Sequence, residues 1–546
     1  MLLPVDLWEW VAEDDLARFI LEAVNLVDLS QFRKNERGSG SAQFPPRMML
    51  AVLIYCYSHG IFSSRRIEAA SHQHLSVRYL TGNTHPDHDT ICKFRRENLA
   101  AIGECFVRVL ELAKELGLLK VGTVAIDGTR VAANASKHRN VGYARAGELI
   151  ELLRADIAEL LKQAEMADSQ PIEPEQLPPG LARREALLEK LTAARQAIEE
   201  RARERAESQR PEYEAKVRAQ AARRHGGRVA QPPSAQPEPD EQINLTDEES
   251  QLMRKSQNEA YQQSYNAQAA VCADGSQLIL GVRVSTNASD KGQLEPTLAA
   301  IPASLGRPSR ALADNGYLNA DAIDRVSQSG VEVYCACAAE ASLAARRYDF
   351  RPPERRSESP RPITDPRLIA MHEKLSSRNG RAIYRRRQAS VEPTFGIIKR
   401  VLGFRQFGLR GQVKVSGEWQ LVALAYNCKR LCRLRQTAVG PKPQTGGPAL
   451  PVPGCSHLRH LATASPLANH PYRALRSRRL QNARNHTSGK SDRLLTLVTR
   501  VQDQSRKTLT FGAQPGEAAE HDEETNDSEK VSQWAGWKVL IEDGGQ

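Results

Sequence analysis

The chain has 546 residues, 40% of them hydrophobic and 26% charged, with a formal net charge of +11. That length allows about two to four domains, and no run reaches the roughly 18 apolar residues that a membrane span needs. The cationic excess suits a polyanionic partner such as nucleic acid, although an ordinary basic protein carries the same sign.

Nine cysteines are an odd, scattered set, mostly inside apolar runs. This pattern fits reduced, buried thiols in a cytoplasmic protein. Cys335-x-Cys337 and Cys428-x3-Cys432 lack zinc-type spacing. The N-terminal stretch MLLPVDLWEWVAEDD is acidic and carries no basic region, so no secretory leader is expected.

Residues 1–120 read as helical. Pro45-Pro46 opens the apolar run MMLAVLIYCYSHG, which Gly60 can stop. Ser63-Ser64 offers a cap to RRIEAASHQ. A turn from His85 to Thr90 leads into ICKFRRENLAAIGECFVRVLELAKELG, whose apolar residues recur three and four apart. Lys93, Arg95 and Arg96 lie early in that helix, where basic side chains can reach phosphates or bases; a solvated face is the plainer alternative. His72, His74, His85 and His88 have no further ligand at metal spacing, so loop and cap roles are expected of them.

At VGTVAIDGTRVAANA the pattern turns to strand. A short buried strand, Val121–Ile126, is expected to end at Asp127, with Gly128 leaving room for something to approach the backbone. The competing reading makes Asp127-Gly128 a hairpin turn. Residues 141–257 interrupt the sheet. An amphipathic helix over Gly147–Ala167, a proline-rich turn over Ser169–Gly180 and a charged helix over Leu181–Arg223 make a helical hairpin, followed by a linker over His225–Glu241. A plain spacer and a DNA-clamping or dimerising arm both remain open for this segment.

Strands resume at Tyr265–Val271 and Ser276–Thr286, joined by an Asp274-Gly275 turn. Asp290 starts a helix-like stretch. SRALADNGYLN reads as a short strand ending at Asp314 beside Gly316, and VEVYCACA as another strand. Arg346–Pro366 is loop-like. The stretch YRRRQASVEPTFGIIKR (Tyr384–Arg400) then sets one acid, Glu392, among Arg385, Arg386, Arg387, Lys399 and Arg400. Such an acid either pairs with an arginine or holds a cation beside a polyanion. Pro393 is tolerable if a helix begins there, with Ser390 as its cap. Val415–Leu434 is a final amphipathic helix, and residues 436–546 read as a largely disordered tail.

Asp127, Asp314 and Glu392 are the candidate catalytic and metal-binding set. Carboxylates brought together raise one another's pKa. Hard divalent cations relieve that repulsion, and two ions about 4 Å apart can clamp both oxygens of an in-line phosphoryl displacement.

These stretches resemble a DDE transposase of bacterial insertion sequences. The likeness rests on IDGTRVAANASKHRN around Asp127, YNAQAAV, ADNGY around Asp314 and YRRRQASVEPTFGIIKR around Glu392. PPRMMLAVLIYCYSHG and PDHDTICKFR resemble the helical domain ahead of that core, and NLTDEESQLM the segment that returns to the sheet. The resemblance implies an α/β ribonuclease-H-like core, a mixed sheet with flanking helices, over residues 121–140 and 258–435. It implies an all-α, DNA-binding domain over residues 1–120 and a helical insertion over residues 141–257. It further implies two Mg²⁺ ions (with Mn²⁺ as a substitute) held by Asp127, Asp314 and Glu392. The reaction would be DNA strand cleavage at element ends and strand transfer, on double-stranded DNA, by a homodimer away from any membrane. The family spaces Tyr-x2-Arg-x3-Glu-x6-Lys. Lys399 is in register with Glu392, whereas Tyr384 and Arg387 stand one residue too far away and Arg385 and Gln388 hold their strict positions. Lys399, Arg387 and Tyr384 are the expected DNA contacts, and Asp290 an auxiliary acid. A decayed or domesticated DNA-binding copy and a nuclease on the same core are the competing functions.

Overall fold

A computed structural model describes residues 6–33, 43–168, 181–221, 231–254, 259–337 and 363–439. The chain divides into two units, Met1–Lys442 and Pro443–Gln546, and every described residue belongs to the first. The turn expected at 169–180, the linker at 225–241, the loop at 346–366 and the tail from 436 fall wholly or partly outside the described residues.

Seven helices come first: α1 (Leu7–Trp10), α2 (Leu16–Asn25), α3 (Pro46–Ser58), α4 (Ser64–Gln73), α5 (Leu75–Leu80), α6 (His88–Glu97) and α7 (Leu99–Glu115). Helix α3 is buried along almost its whole length, as its unbroken apolar run requires. Asp87 caps α6 by accepting from the Thr90 N–H at 2.6 Å. The single helix expected after that cap is two. Asn98 breaks it, because its amide donates back to the Phe94 carbonyl and its oxygen accepts from the Arg33 N–H, both at 2.8 Å. Arg95 is not a surface cation. It is buried, and its Nη1 donates to the Tyr57 hydroxyl at 2.7 Å and to the Phe62 carbonyl at 2.9 Å.

Eight strands follow: β1 (Thr123–Ala132), β2 (Asn140–Gly142), β3 (Gln242–Asn244), β4 (Gln251–Met253), β5 (Gln262–Cys272), β6 (Ile279–Ser285), β7 (Arg310–Ala313) and β8 (Glu332–Cys335). Along the main sheet the order is β4-β5-β1-β7-β8, with β6 also paired to β5. Strands β1, β5 and β6 run antiparallel, and β7 and β8 join parallel to β1. The apolar, β-branched cores of β1 and β6 and the buried Ala311-Leu312-Ala313 run of β7 suit this central burial.

Strands β2 and β3 form a separate pair that the sequence reading did not anticipate. They are the gate of the helical insertion. Helix α8 (Tyr143–Asp168) leaves from β2, and α9 (Leu181–Ala221) packs back along α8 on the way to β3. Later helices are α10 (Leu294–Ala299), α11 (Ala320–Gln328), α12 (Pro366–Ser376), α13 (Arg378–Tyr384), α14 (Arg386–Gly396) and α15 (Gln412–Val439). Helix α15 packs against α3, α7 and β6, so the N-terminal helices and the sheet share one apolar core. No described helix is long and apolar enough to cross a membrane.

Candidate active site

Asp127 does not end its strand. Strand β1 runs on to Ala132, because the longer β5 pairs with it as far as Ala132 opposite Ser264. The hairpin reading of Asp127-Gly128 therefore falls, and Gly128 sits in mid-strand opposite Gln268. It is the neighbouring strand that stops. Strand β7 pairs Leu312 with Ala125 in parallel, and two more steps of that register bring Asp314 beside Asp127. Asp314 caps a short 3₁₀ turn, Asn315–Tyr317, by accepting from the Gly316 N–H at 2.9 Å.

The two acids perturb each other. Burial and the neighbouring Asp314 push the Asp127 carboxyl up to about 7, against the pull of Arg387 and the Gly128 N–H. Burial also raises Asp314, again opposed by Arg387. Arg387 comes from α14, and its Nη1 stands 3.4 Å from Asp127 Oδ2. Burial alone would lower that guanidinium's pKa, but Asp127, Tyr384 and Asp314 together raise it. Tyr384 also hydrogen-bonds to Arg387. Arg387, not Gln388, is thus the arginine that α14 turns into the site, whatever its spacing from Glu392. Lys399 is half-buried, and its Nζ donates to the Arg130 carbonyl of β1 at 2.6 Å.

Glu392 lies within α14 rather than at its start. Ser390 is no cap: it is buried mid-helix, and its hydroxyl donates to the Arg386 carbonyl at 2.6 Å. Pro393 leaves the Ala389 carbonyl without its helical donor. Gln277 Nε2, from the β5–β6 turn, supplies the replacement at 2.8 Å. That bond ties α14 to the sheet one turn ahead of Glu392. Glu392 itself is exposed on the flank of the helix. Among the described residues no three His, Cys, Asp or Glu side chains are gathered closely enough to hold a metal ion as they stand. Asp127 and Asp314 are brought together, and Glu392 is on the element that packs over them.

Asp290, from the loop after β6, is closer to the pair than its auxiliary standing implied. Its charge acts on both Asp127 and Asp314. Its Oδ1 accepts from Asn266 Nδ2 at 2.8 Å and from Gln268 Nε2 at 2.7 Å, both on β5. Gln268 in turn accepts from the buried Tyr317 hydroxyl. Gly128 makes this possible. A Cβ there would overlap Gln268 Nε2 and come within 2.6 Å of Asp290 Oδ1. At Gly316 a Cβ would lie 3.0 Å from Asp314 Oδ1 and 3.4 Å from Asp290 Oδ2. Sequence reasoning missed Asn266, Gln268 and Tyr317. The signal was polar side chains two apart in an otherwise apolar, buried strand.

Asp127 on β1 and Asp314 just past the end of the parallel β7 thus form an acid pair, and α14, which packs on β1, carries an arginine beside that pair and a further glutamate. Residues 234–428 match the family model described as the transposase DDE domain, and residues 5–97 match the model described as transposase domain (DUF772). No curated protein and no solved structure matches the chain. This N-terminal transposase domain ahead of a DDE domain is the arrangement typical of insertion-sequence transposases.

Proposed function

We propose that the protein cleaves DNA at the ends of its own element and joins those ends to target DNA, with Asp127, Asp314 and Glu392 as its catalytic acids. The observation that carries this reading is the Asp127–Asp314 pair on adjacent parallel strands, with a cationic side chain 3.4 Å from one of them. The strand order β6-β5-β1-β7-β8, antiparallel through the first three and parallel through the last, supports a ribonuclease-H-like core.

The residues fit a divalent cation. The donors are carboxylate oxygens, the choice of Mg²⁺ and Mn²⁺. Gly128 and Gly316 let further oxygen donors come close, since the Asp290 and Asp314 carboxylates occupy the space a Cβ would take there. Arg387 already offsets their charge, which is what a cation there would do. Asp127 and Asp314 would hold the metal, with Glu392 closing over it from α14. When bound, the metal would activate the attacking oxygen and stabilise the leaving 3′-oxygen.

The chain's own groups do the rest. Arg387 would turn from Asp127 to a phosphate, helped by Tyr384. Lys399, fixed on β1, would hold the backbone beside Glu392. A homodimer would bring two ends together. The test is purified protein with Mg²⁺ and duplexes that carry the gene's flanking terminal repeats. We expect nicked ends and joined products, both lost in Asp314→Asn. Cleavage without joining would make the protein a nuclease, and full activity in Asp314→Asn would remove the site assignment.

A further inference from the structure

The sixteen residues from Lys399 to Lys414, KRVLGFRQFGLRGQVK, contain five cations and no acid. Most of them form the connection between α14 and α15. That connection is built rather than loose. Leu402, Phe404, Phe407 and Leu409 are buried, while Arg405 and Gln406 between them, and Arg400 and Arg410 on either side, are exposed. Gly403 and Gly411 bound it in the left-handed region, with φ of 81° and 82°, so both ends can turn sharply.

Its backbone continues the sheet at the far end of β1. The Ala132 N–H donates to the Arg405 carbonyl at 3.0 Å, and the Phe407 N–H donates to the Ala132 carbonyl at 2.9 Å. Acids from elsewhere hold three more of its amides. Glu418 accepts from the Gly408 and Leu409 N–H groups at 2.9 and 3.0 Å, and Asp247 accepts from the Gly411 N–H at 3.1 Å. Nε of Arg405 donates to the Lys399 carbonyl at 3.3 Å, and Nε of Arg410 to the Asn134 carbonyl at 2.9 Å. Both guanidinium groups are therefore anchored at one nitrogen on an exposed ridge.

We propose that this strap is a preorganised DNA-backbone rail, with Arg400, Arg405, Arg410 and Lys414 on phosphates of the duplex whose end lies at Asp127. The inference rests on the DNA reading above but not on the metal. A rigid row of cations binds a polyanion with little ordering cost, and its pinned backbone fixes the spacing. Five residue steps along β1 lead from Asp127 to Ala132, about 16 Å at about 3.3 Å per residue. At about 3.4 Å per base pair, the rail begins about five base pairs from the scissile phosphate.

The experiment measures anisotropy of a short fluorescent duplex of arbitrary sequence against full-length protein in EDTA, across a salt series. Each phosphate contact contributes about 0.9 to the slope of log affinity against log salt. Arg405→Ala with Arg410→Ala is expected to weaken binding and flatten the slope by about two such contacts. Arg405→Lys with Arg410→Lys, which keeps the charge, is expected to retain the slope. An unchanged slope in the alanine variant, with wild-type protein still binding, overturns the rail and leaves the DNA reading standing. Loss of slope in both variants points to a structural role and also overturns it. No salt-dependent binding by wild-type protein overturns both.

Discussion

Asp127 carries an electrostatic strain that only its partners relieve. Its folded pKa of about 7 lies above the ordinary carboxylate value. The folded state therefore binds the proton more tightly than the unfolded chain does. This group's contribution to stability is greatest at low pH, and declines as pH rises from the unfolded pKa towards about 7. Asp314 is raised too, so its contribution has the same sign. In EDTA, Asp127→Asn should remove part of this penalty. We expect it to lose less stability than wild type between pH 5 and pH 8, by on the order of a few kcal/mol at most, seen as a smaller fall in melting temperature. Parallel melting curves across that range would contradict the burial of charge at this site. The residue types at the site were legible because aspartate beside glycine in an apolar strand is conspicuous. The role of Asp290 was less legible, since its meaning depends on two amides that lie more than twenty residues away.

At the scale of elements, the alternating and helical patterns located β5, β6, α3, α8, α9 and α15 well. Three features escaped them. The extension of β1 past Gly128 is decided by the length of β5, which only pairing reveals. The passage of α14 through Pro393 is decided by Gln277, donated from a distant turn. The orientation of Arg95 is decided by α15, because Glu418 accepts from the Tyr57 hydroxyl at 3.2 Å while Arg95 donates to that same hydroxyl. Burial raises the Glu418 pKa, and Arg95 opposes that rise. Removing the arginine leaves a buried acid without its cation. Arg95→Ala is therefore expected to destabilise the protein by about 3–5 kcal/mol, read from urea unfolding. A loss near that of an ordinary surface substitution, within about 0.5 kcal/mol, would mean that the three groups are not coupled.

At the scale of the molecule, the N-terminal helices do not stand apart from the sheet. Helix α15 lies between them, and Glu418 on that helix joins Arg95 of the N-terminal part to the strap beside the site. Unfolding of the described unit should be one transition by that logic. The helical insertion is the separable part, since it enters and leaves through the small β2–β3 pair. The order of N-terminal helices, interrupted sheet and final helix was readable from composition and period. The sharing of one core was not, because a core spanning distant segments has no local signature.

The most direct test of the central claim is calorimetric titration of Mn²⁺ into the full-length protein and into Asp127→Asn, Asp314→Asn and Glu392→Gln. We expect saturable binding by the wild type. It should be abolished or weakened at least about tenfold in the two aspartate variants, and weakened in the glutamate variant. Equal binding by all four proteins would contradict a metal site built on these acids.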